Sequence, residues 1–205
     1  MWMYLLQKRS RRFLQNSWSK NINKTNTHLE EALSDFISKI SDDSNKNTDL
    51  IAKKFLTQLE KKFNFQKKDI ASIFSHLEGV NHNHPIYINK IPFISFCEHS
   101  MFPFFGDVSI AVLPDKNILG VSKFSDLVNN LSSKLTLQEK LTEEIGEKIL
   151  QYLKPQGTYI KVKAKHLCSD LLSPENSIGD ITTTYANGIY ELDSSLRAEA
   201  ALNMS

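Results

Sequence analysis

The sequence predicts one α+β domain in which helices precede an antiparallel sheet. Apolar residues recur at helical spacing before residue 80, and segments rich in β-branched and aromatic residues flank a tight loop after residue 96. A strand in which apolar residues alternate with lysines then follows two further helices. The 205 residues are enough to bury one core without disulfides. We therefore expect a sheet covered on one face by paired helices.

Residues 1–28 are predicted to be a basic leader or flexible tail, and residues 29–205 to be the folded domain. The first 29 residues contain six Lys or Arg and no acid, a composition typical of a mitochondrial presequence, of a basic arm on a membrane surface or of a disordered tail. The expected localisation is therefore cytoplasmic or mitochondrial. No apolar stretch approaches the roughly 20 residues of a spanning helix.

Three helices are predicted within residues 29–80, the helical part of the domain. Each presents apolar residues on one face, and Gly79 is expected to stop the third. The apolar residues of the three faces are Leu29, Leu33, Phe36, Ile37 and Ile40, then Leu50, Ile51, Phe55, Leu56 and Leu59, then Ile70, Ile73, Phe74 and Leu77.

The second part of the domain, residues 85–205, is predicted to contain the sheet. Strands are expected at 86–96, at 107–114, in the short segment ILGV and from residue 158, where Ile160, Val162 and Ala164 alternate with lysines. Helices are expected near 124–131 and 137–153. The dipeptide Asn187-Gly188 predicts a type I′ hairpin at the end of the chain.

Charge and cysteine content exclude some classes of function. Outside the leader the acidic residues outnumber the basic ones, so we expect no nucleic-acid partner. Of four arginines, only Arg197 lies outside the leader, which matters for any site that must hold a phosphate. Two cysteines 71 residues apart do not indicate a disulfide scaffold.

Two Cys/His pairs are the candidate reactive groups. Cys97 and His99 lie in a loop between strands, and His166 and Cys168 share a parity at the end of the alternating strand. Brought together across a sheet, the pairs could bind Zn²⁺ or polarise a water molecule. The alternative is that the cysteines are buried apolar side chains and the histidines are satisfied core groups.

Two helix starts carry further candidate residues. Glu139 follows Thr136 by three residues, which predicts a capping box, although a carboxylate there could also accept hydrogen bonds from a guanine-like edge. Ser122 and Lys123 follow a strand and precede a helix, so they could receive a phosphate or simply form a solvated helix start.

From Cys97 to about Arg197 the sequence resembles the GTP cyclohydrolase I family, a branch of the tunnelling-fold superfamily. The resemblance rests on CEHSMFPFFG, ILGVSK, LQEKLTEEI, KAKHLC and the TTT before Gly188, in family order and at family spacing. It implies N-terminal helices followed by a four-stranded antiparallel sheet backed by two helices. It also implies a homo-oligomer, a decamer of two pentamers, with active sites between subunits.

The implied reaction is the zinc-dependent hydrolysis of GTP to formate and 7,8-dihydroneopterin triphosphate, which leads to folate and tetrahydrobiopterin. By position, Cys97 and Cys168 are similar to zinc ligands, and His99 and His166 to the histidines that handle protons. The resemblance further implies that Gln138 and Glu139 contact the guanine edge and that Ser122 and Lys123 contact the triphosphate.

The sequence departs from the family pattern at three positions. Ser100 stands where the family has its third zinc ligand, so a metal would need a substitute: His99, His166, His82 or His84. Leu172 and Asp126 stand where the family has arginines that face the triphosphate. These changes keep open a non-catalytic relative that binds a purine or pterin or co-assembles with an active subunit. The nitrile reductase branch of the fold is a weaker alternative.

Overall fold

The computed structural model describes residues 28–41, 47–63, 69–79, 82–172, 175 and 179–204. The predicted leader lies outside the described residues except for His28. The chain divides into two compact units, Met1–Lys62 and Phe63–Ser205. The predicted domain limits at residues 28, 80 and 85 remain predictions.

The elements alternate as an α+β chain. In order they are α1 (28–40), α2 (Thr48–Phe63), α3 (Ile70–Ile73), β1 (Leu77–Gly79), β2 (Ile86–Cys97), β3 (Pro103–Leu113), β4 (Asn117–Leu119), α4 (Val121–Ser132), β5 (Leu135–Thr136), α5 (Gln138–Leu153), β6 (Gly157–His166), α6 (Leu167–Leu172), β7 (Ile181–Gly188), α7 (Ile189–Leu192) and α8 (Ser194–Asn203).

The first unit contains helix α1 and nearly all of helix α2, as predicted. The buried Ser34 of α1 joins them, because its hydroxyl group donates to Thr48 Oγ1 at 3.0 Å or to Asp49 Oδ1 at 2.5 Å. These contacts lie in the first turn of α2, where acceptor side chains are common.

The second unit is built on a sheet with the strand order β5-β2-β3-β6-β7. Strands β2, β3, β6 and β7 pair antiparallel, and the two residues of β5 pair parallel with the end of β2. Strands β1 and β4 form a separate two-stranded sheet. The predicted α+β class and four-stranded antiparallel sheet are confirmed.

Helices α4 and α5 cover one face of the sheet, and their apolar residues form the main core with alternate residues of the strands. The fully buried members of this core include Phe104, Val108, Ile110, Leu127, Leu141, Ile145, Ile149 and Ile160. At Gly146 helix α5 approaches β7 so closely that an added Cβ would lie 2.3 Å from the Tyr185 ring. A second cluster, around Tyr159 and Tyr190, packs with α8 through Ala200.

Two predictions of where an element ends were wrong. Leu77 does not extend helix α3 but begins β1, where it pairs with Leu119. The alternating strand ends at His166, so Cys168 lies in helix α6 and does not continue the strand parity. In both cases the helix or strand ends earlier than periodicity alone indicated.

The predicted hairpin at Asn187-Gly188 is also wrong, because both residues end strand β7. Asn187 is buried, and its side chain accepts from Thr158 N at 3.0 Å and donates to Gly146 O at 3.3 Å. Gly188 has φ +57°, and a Cβ there would lie 2.2 Å from Gln156 O. The dipeptide therefore closes the sheet against α5 and does not form a two-residue turn.

Candidate functional site

One end of the sheet brings the predicted site residues together. Cys97 is the last residue of β2 and pairs with Thr136, two residues before Gln138. His166 is the last residue of β6 and pairs with Phe104 at the start of β3. The register thus places the loop after Cys97, the start of α5 and His166 at the same edge of the fold.

The loop between β2 and β3 is a tight turn held by its own backbone. Cys97 N donates to Phe102 O at 3.0 Å, and Met101 N donates to Cys97 O at 2.8 Å. Met101 has φ +58°, which is uncommon for a residue with a side chain. Ser100 Oγ accepts from Phe102 N at 3.3 Å, so the hydroxyl oxygen is engaged within the turn.

An ion pair joins this turn to helix α5. Lys140 Nζ lies 2.6 Å from Glu98 Oε1, and Glu98 N donates to Thr136 O at 3.2 Å. His99, the next residue, is exposed at the surface of the turn. The turn is therefore fixed on both sides while His99 faces solvent.

His166 is held by a ring contact and by a hydrogen bond. The Phe104 ring stacks on it at a centroid distance of 4.8 Å and an interplanar angle of 8°. Its Nε2 lies 2.7 Å from Gln138 Oε1. Burial lowers the pKa of His166, and the nearby Glu139 carboxylate partly opposes this shift. The neutral ring is therefore favoured at neutral pH.

Gln138 uses its whole amide group inside the protein. Its side chain is buried, and Nε2 lies 3.1 Å from Val162 O, from Ile181 O and from Thr183 Oγ1. With Oε1 on His166, these contacts link α5, β6 and β7 beneath the site. In this arrangement Gln138 supports His166 from below.

A cavity of about 340 Å³ opens beside these residues, between α5 and β7. Its walls are Glu139, Thr142, Glu143, Thr183, Thr184 and Tyr185. Burial raises the pKa of Tyr185, and the carboxylates of Glu147 and Glu143 add to that effect. The cavity therefore combines carboxylates and hydroxyl groups, which suit a ligand rich in N–H donors.

The predicted capping box at the start of α5 is wrong. The N-cap residue is Leu137, without a side-chain cap, and Thr136 Oγ1 donates to Leu137 O at 3.3 Å. Since β5 ends at Thr136, its side chain belongs to the strand and cannot reach the helix N–H groups. The Glu139 carboxylate is therefore not used as a cap and lines the cavity.

Ser122 and Lys123 lie in the first turn of α4, as predicted, and Ser122 is exposed. Lys123 Nζ is 3.2 Å from Asp126 Oδ2, and both side chains are about one third exposed. The ammonium group that was expected to meet a phosphate thus already has a carboxylate neighbour. The only arginine outside the leader, Arg197, donates to the carbonyl oxygens of Tyr190 and Glu191 at 2.6 and 2.7 Å.

The described residues do not fit a zinc site. Among them, no three His, Cys, Asp or Glu side chains gather where they could hold a metal ion. Cys97 and Cys168 are free thiols, and the Ser100 oxygen is engaged in its turn. His82 and His84 pack edge to face against each other at 5.7 Å. Catalytic zinc sites use three protein ligands, so two thiols are not a complete set.

Sequence reasoning missed three contributors to the site. Thr142 and Glu143 lie one turn after Gln138 and Glu139, and this i, i+4 spacing would have placed them on the same face of α5. The Glu98–Lys140 pair had no local signal, because its members are 42 residues apart.

In the part of the chain that the structure describes, no helix is both long enough and apolar enough to cross a membrane.

The chain is similar to known proteins over most of its length. The family model described as GTP cyclohydrolase I matches residues 29–204. GTP cyclohydrolase 1 of Fusobacterium nucleatum is 40% identical over 131 residues, covering 64% of this chain and 70% of the relative. The protein of the same name from Finegoldia magna is 31% identical over 173 residues, covering 84% and 94%.

A third relative and one solved structure are more partial matches. GTP cyclohydrolase 1 of Latilactobacillus sakei is 39% identical over 123 residues, 60% of this chain, and the match spans only 65% of that relative's length. The apo crystal structure of archaeosine synthase QueF-Like covers 53% of this chain and 97% of its own at a TM-score of 0.42 and 19% identity, too little to bear on the reaction. On the family match and the Finegoldia relative, this chain belongs to the GTP cyclohydrolase I family.

Proposed function

We propose that this chain is a GTP cyclohydrolase I-type hydrolase that binds GTP and opens its imidazole ring, releasing formate and forming 7,8-dihydroneopterin triphosphate. The observation that carries the proposal is the position of a clamped His166 beside a cavity lined by Glu139. Family membership supports the same reaction class.

Two groups of the chain supply what the base of the substrate requires. An ionised Glu139 has two acceptor oxygens, which match the adjacent N–H donors on the edge of guanine. His166 is neutral at neutral pH and can take up a proton as water adds to the imidazole ring. We propose His99, exposed on the neighbouring turn, as a second group that handles protons.

The chain provides fewer suitable groups for a metal ion and for the triphosphate. Zinc is associated with the family, but the described donors do not complete a site, so we assign no step to it. Lys123 has Asp126 as a neighbour, and the one arginine of the body binds backbone carbonyls elsewhere. Losing charge-assisted hydrogen bonds of about 1.5–3 kcal/mol each lowers affinity for phosphate. We therefore propose that Ser122 and Lys123 hold the triphosphate only weakly.

A second candidate function rests on these same observations. The engaged Ser100 hydroxyl and the Lys123–Asp126 pair favour a non-catalytic relative that binds a purine or pterin. Such a chain could co-assemble with an active subunit, whereas the first proposal expects a homo-oligomer, a decamer by family resemblance. Binding of a purine without turnover would distinguish it from the hydrolase.

Formate release from GTP by the purified full-length chain, supplied with Zn²⁺, tests the proposal. We expect formate from the wild type, with zinc measured in the same sample, and a rate about 10²- to 10⁴-fold lower from His166→Ala. The matched control is His76→Ala, an exposed histidine outside the cavity, which should keep wild-type turnover. Guanosine binding without formate would support the second function, and a protein showing neither binding nor formate would exclude both.

A further inference from the structure

The hydrogen bonds of Gln138 determine which way its side-chain amide faces. Nε2 lies 3.1 Å from the backbone carbonyl oxygens of Val162 and Ile181. Because a carbonyl oxygen accepts hydrogen bonds and cannot donate them, the NH₂ group must be on this side. The amide oxygen Oε1 therefore faces His166.

Two threonines reinforce that orientation. Thr142 Oγ1 donates its single hydrogen to Gln138 O at 2.7 Å. In the 2.6 Å contact between Thr142 and Thr183 the donor must then be Thr183, whose oxygen remains an acceptor for Gln138 Nε2. Reversing the amide would place its oxygen against two carbonyl oxygens, at the cost of unsatisfied buried groups.

The fixed amide determines the state of the His166 ring. Oε1 accepts only, so the ring nitrogen Nε2, 2.7 Å away, must carry a hydrogen. A neutral imidazole has one ring hydrogen, which leaves the lone pair on Nδ1. Stacking on Phe104 keeps the ring in its plane, and the hydrogen bond to Gln138 keeps Nε2 on the side of Oε1.

We propose that Gln138 is a positioning residue that holds His166 as the Nε2–H tautomer, so that the lone pair of the ring lies on Nδ1. The resemblance implied instead a direct contact between Gln138 and guanine. With only 1% of its surface exposed, Gln138 offers a ligand no polar atom. The tautomer rests on hydrogen bonds alone, whereas its use in proton exchange rests on the proposed function.

Nitrogen-15 NMR of the full-length protein with labelled histidine tests the tautomer, with His166→Asn assigning the signals. In the wild type we expect a protonated Nε2, an unprotonated Nδ1 and a ring Nε2–H that exchanges slowly with water. A ring protonated on Nδ1 alone would overturn the proposal. The tautomer itself is measured on the wild type and requires no substrate.

Gln138→Met, which keeps a similar length without hydrogen-bonding atoms, tests the role. We expect the slowly exchanging proton to vanish and kcat for formate release to fall roughly tenfold to a hundredfold, with KM for GTP almost unchanged. Gln151→Met, on the exposed part of the same helix, should change neither. A variant that retains the slow proton, or that raises KM while leaving kcat intact, would contradict the proposed role.

The two proposals fail in distinguishable ways. A wild-type protein with the expected tautomer but no formate release would refute the hydrolase and leave the positioning of His166 by Gln138 intact. A protein that releases formate with Nδ1 protonated would refute the positioning role alone.

Discussion

The two halves of the candidate site differ in how completely they are built. Between α5 and β7, the side chains of Gln138, Thr142 and Thr183 form a network of hydrogen bonds. The cavity lined by Glu139 lies beside this network. Around the turn after Cys97 and the start of α4, Ser100 is engaged by its own turn and Lys123 by Asp126. The structure is therefore better suited to bind a purine base and to handle a proton than to hold a metal ion and a phosphate.

The difference also shows what kind of contact holds each half. The α5–β7 half depends on hydrogen bonds that are buried or part-buried. An unmade bond to a buried group costs about 1–3 kcal/mol. The other half depends on partly exposed ion pairs, which are worth about 0–1 kcal/mol. Substitutions should thus have large effects in the first half and small effects in the second.

His166→Ala should give the largest effect, because it removes the group that we propose accepts a proton. We expect formate release from GTP to fall about 10²- to 10⁴-fold, the range for loss of a general acid or base. Steady-state kinetics measure it, with the exposed His76→Ala as the control. A change within about twofold would exclude His166 from the chemistry.

Glu139→Ala should weaken binding of the base. The lost charge-assisted hydrogen bonds correspond to about tenfold to a hundredfold in the dissociation constant for guanosine. Titration calorimetry measures it, and Glu147→Ala, two turns further along α5 and outside the cavity wall, is the matched control. Equal losses in both variants would indicate a general charge effect and no specific contact.

Gly146→Ala should separate α5 from β7, because the new Cβ would meet the Tyr185 ring at 2.3 Å. We expect the free energy of unfolding to fall by about 1–3 kcal/mol, and guanosine binding to weaken with it. Denaturant unfolding measures the stability. Gly79→Ala, where an added Cβ meets nothing within 4 Å, should be nearly neutral, and a similar loss there would contradict the packing explanation.

Asp126→Asn should have the smallest effect, since both side chains of the Lys123–Asp126 pair are about one third exposed. Removing the carboxylate should raise affinity for GTP relative to guanosine by roughly twofold to fivefold at low salt. The gain should shrink in high salt because exposed charges are screened. Unchanged GTP affinity at low salt would show that Lys123 and Asp126 do not affect binding of the triphosphate.

Local sequence patterns predicted the helices and strands whose positions depend mainly on residues close together in the sequence. Alternation located β6, β-branched and aromatic content located β2 and β3, and apolar spacing located α4 and α5. The patterns failed where distant residues decide: Asn187 bonds to Thr158 and Gly146, and Leu77 pairs with Leu119. Neither set of contacts can be predicted from the residues next to it in the sequence.

The candidate site divides in the same way. The sequence and its resemblance named Cys97, His99, Gln138, Glu139 and His166, and the register places them at one end of the sheet. They could not reveal that Gln138 faces inward or that Thr136 belongs to a strand, because both depend on how β5, β6 and β7 surround the start of α5. Their roles toward a ligand remain predictions.

Titration calorimetry of the full-length protein with guanosine and with GTP tests most directly whether the base side dominates. If Glu139 and its cavity provide most of the binding and the phosphate side little, the two dissociation constants should agree within about tenfold. GTP bound more than about a hundredfold tighter than guanosine, or no binding of either, would contradict this description of the site.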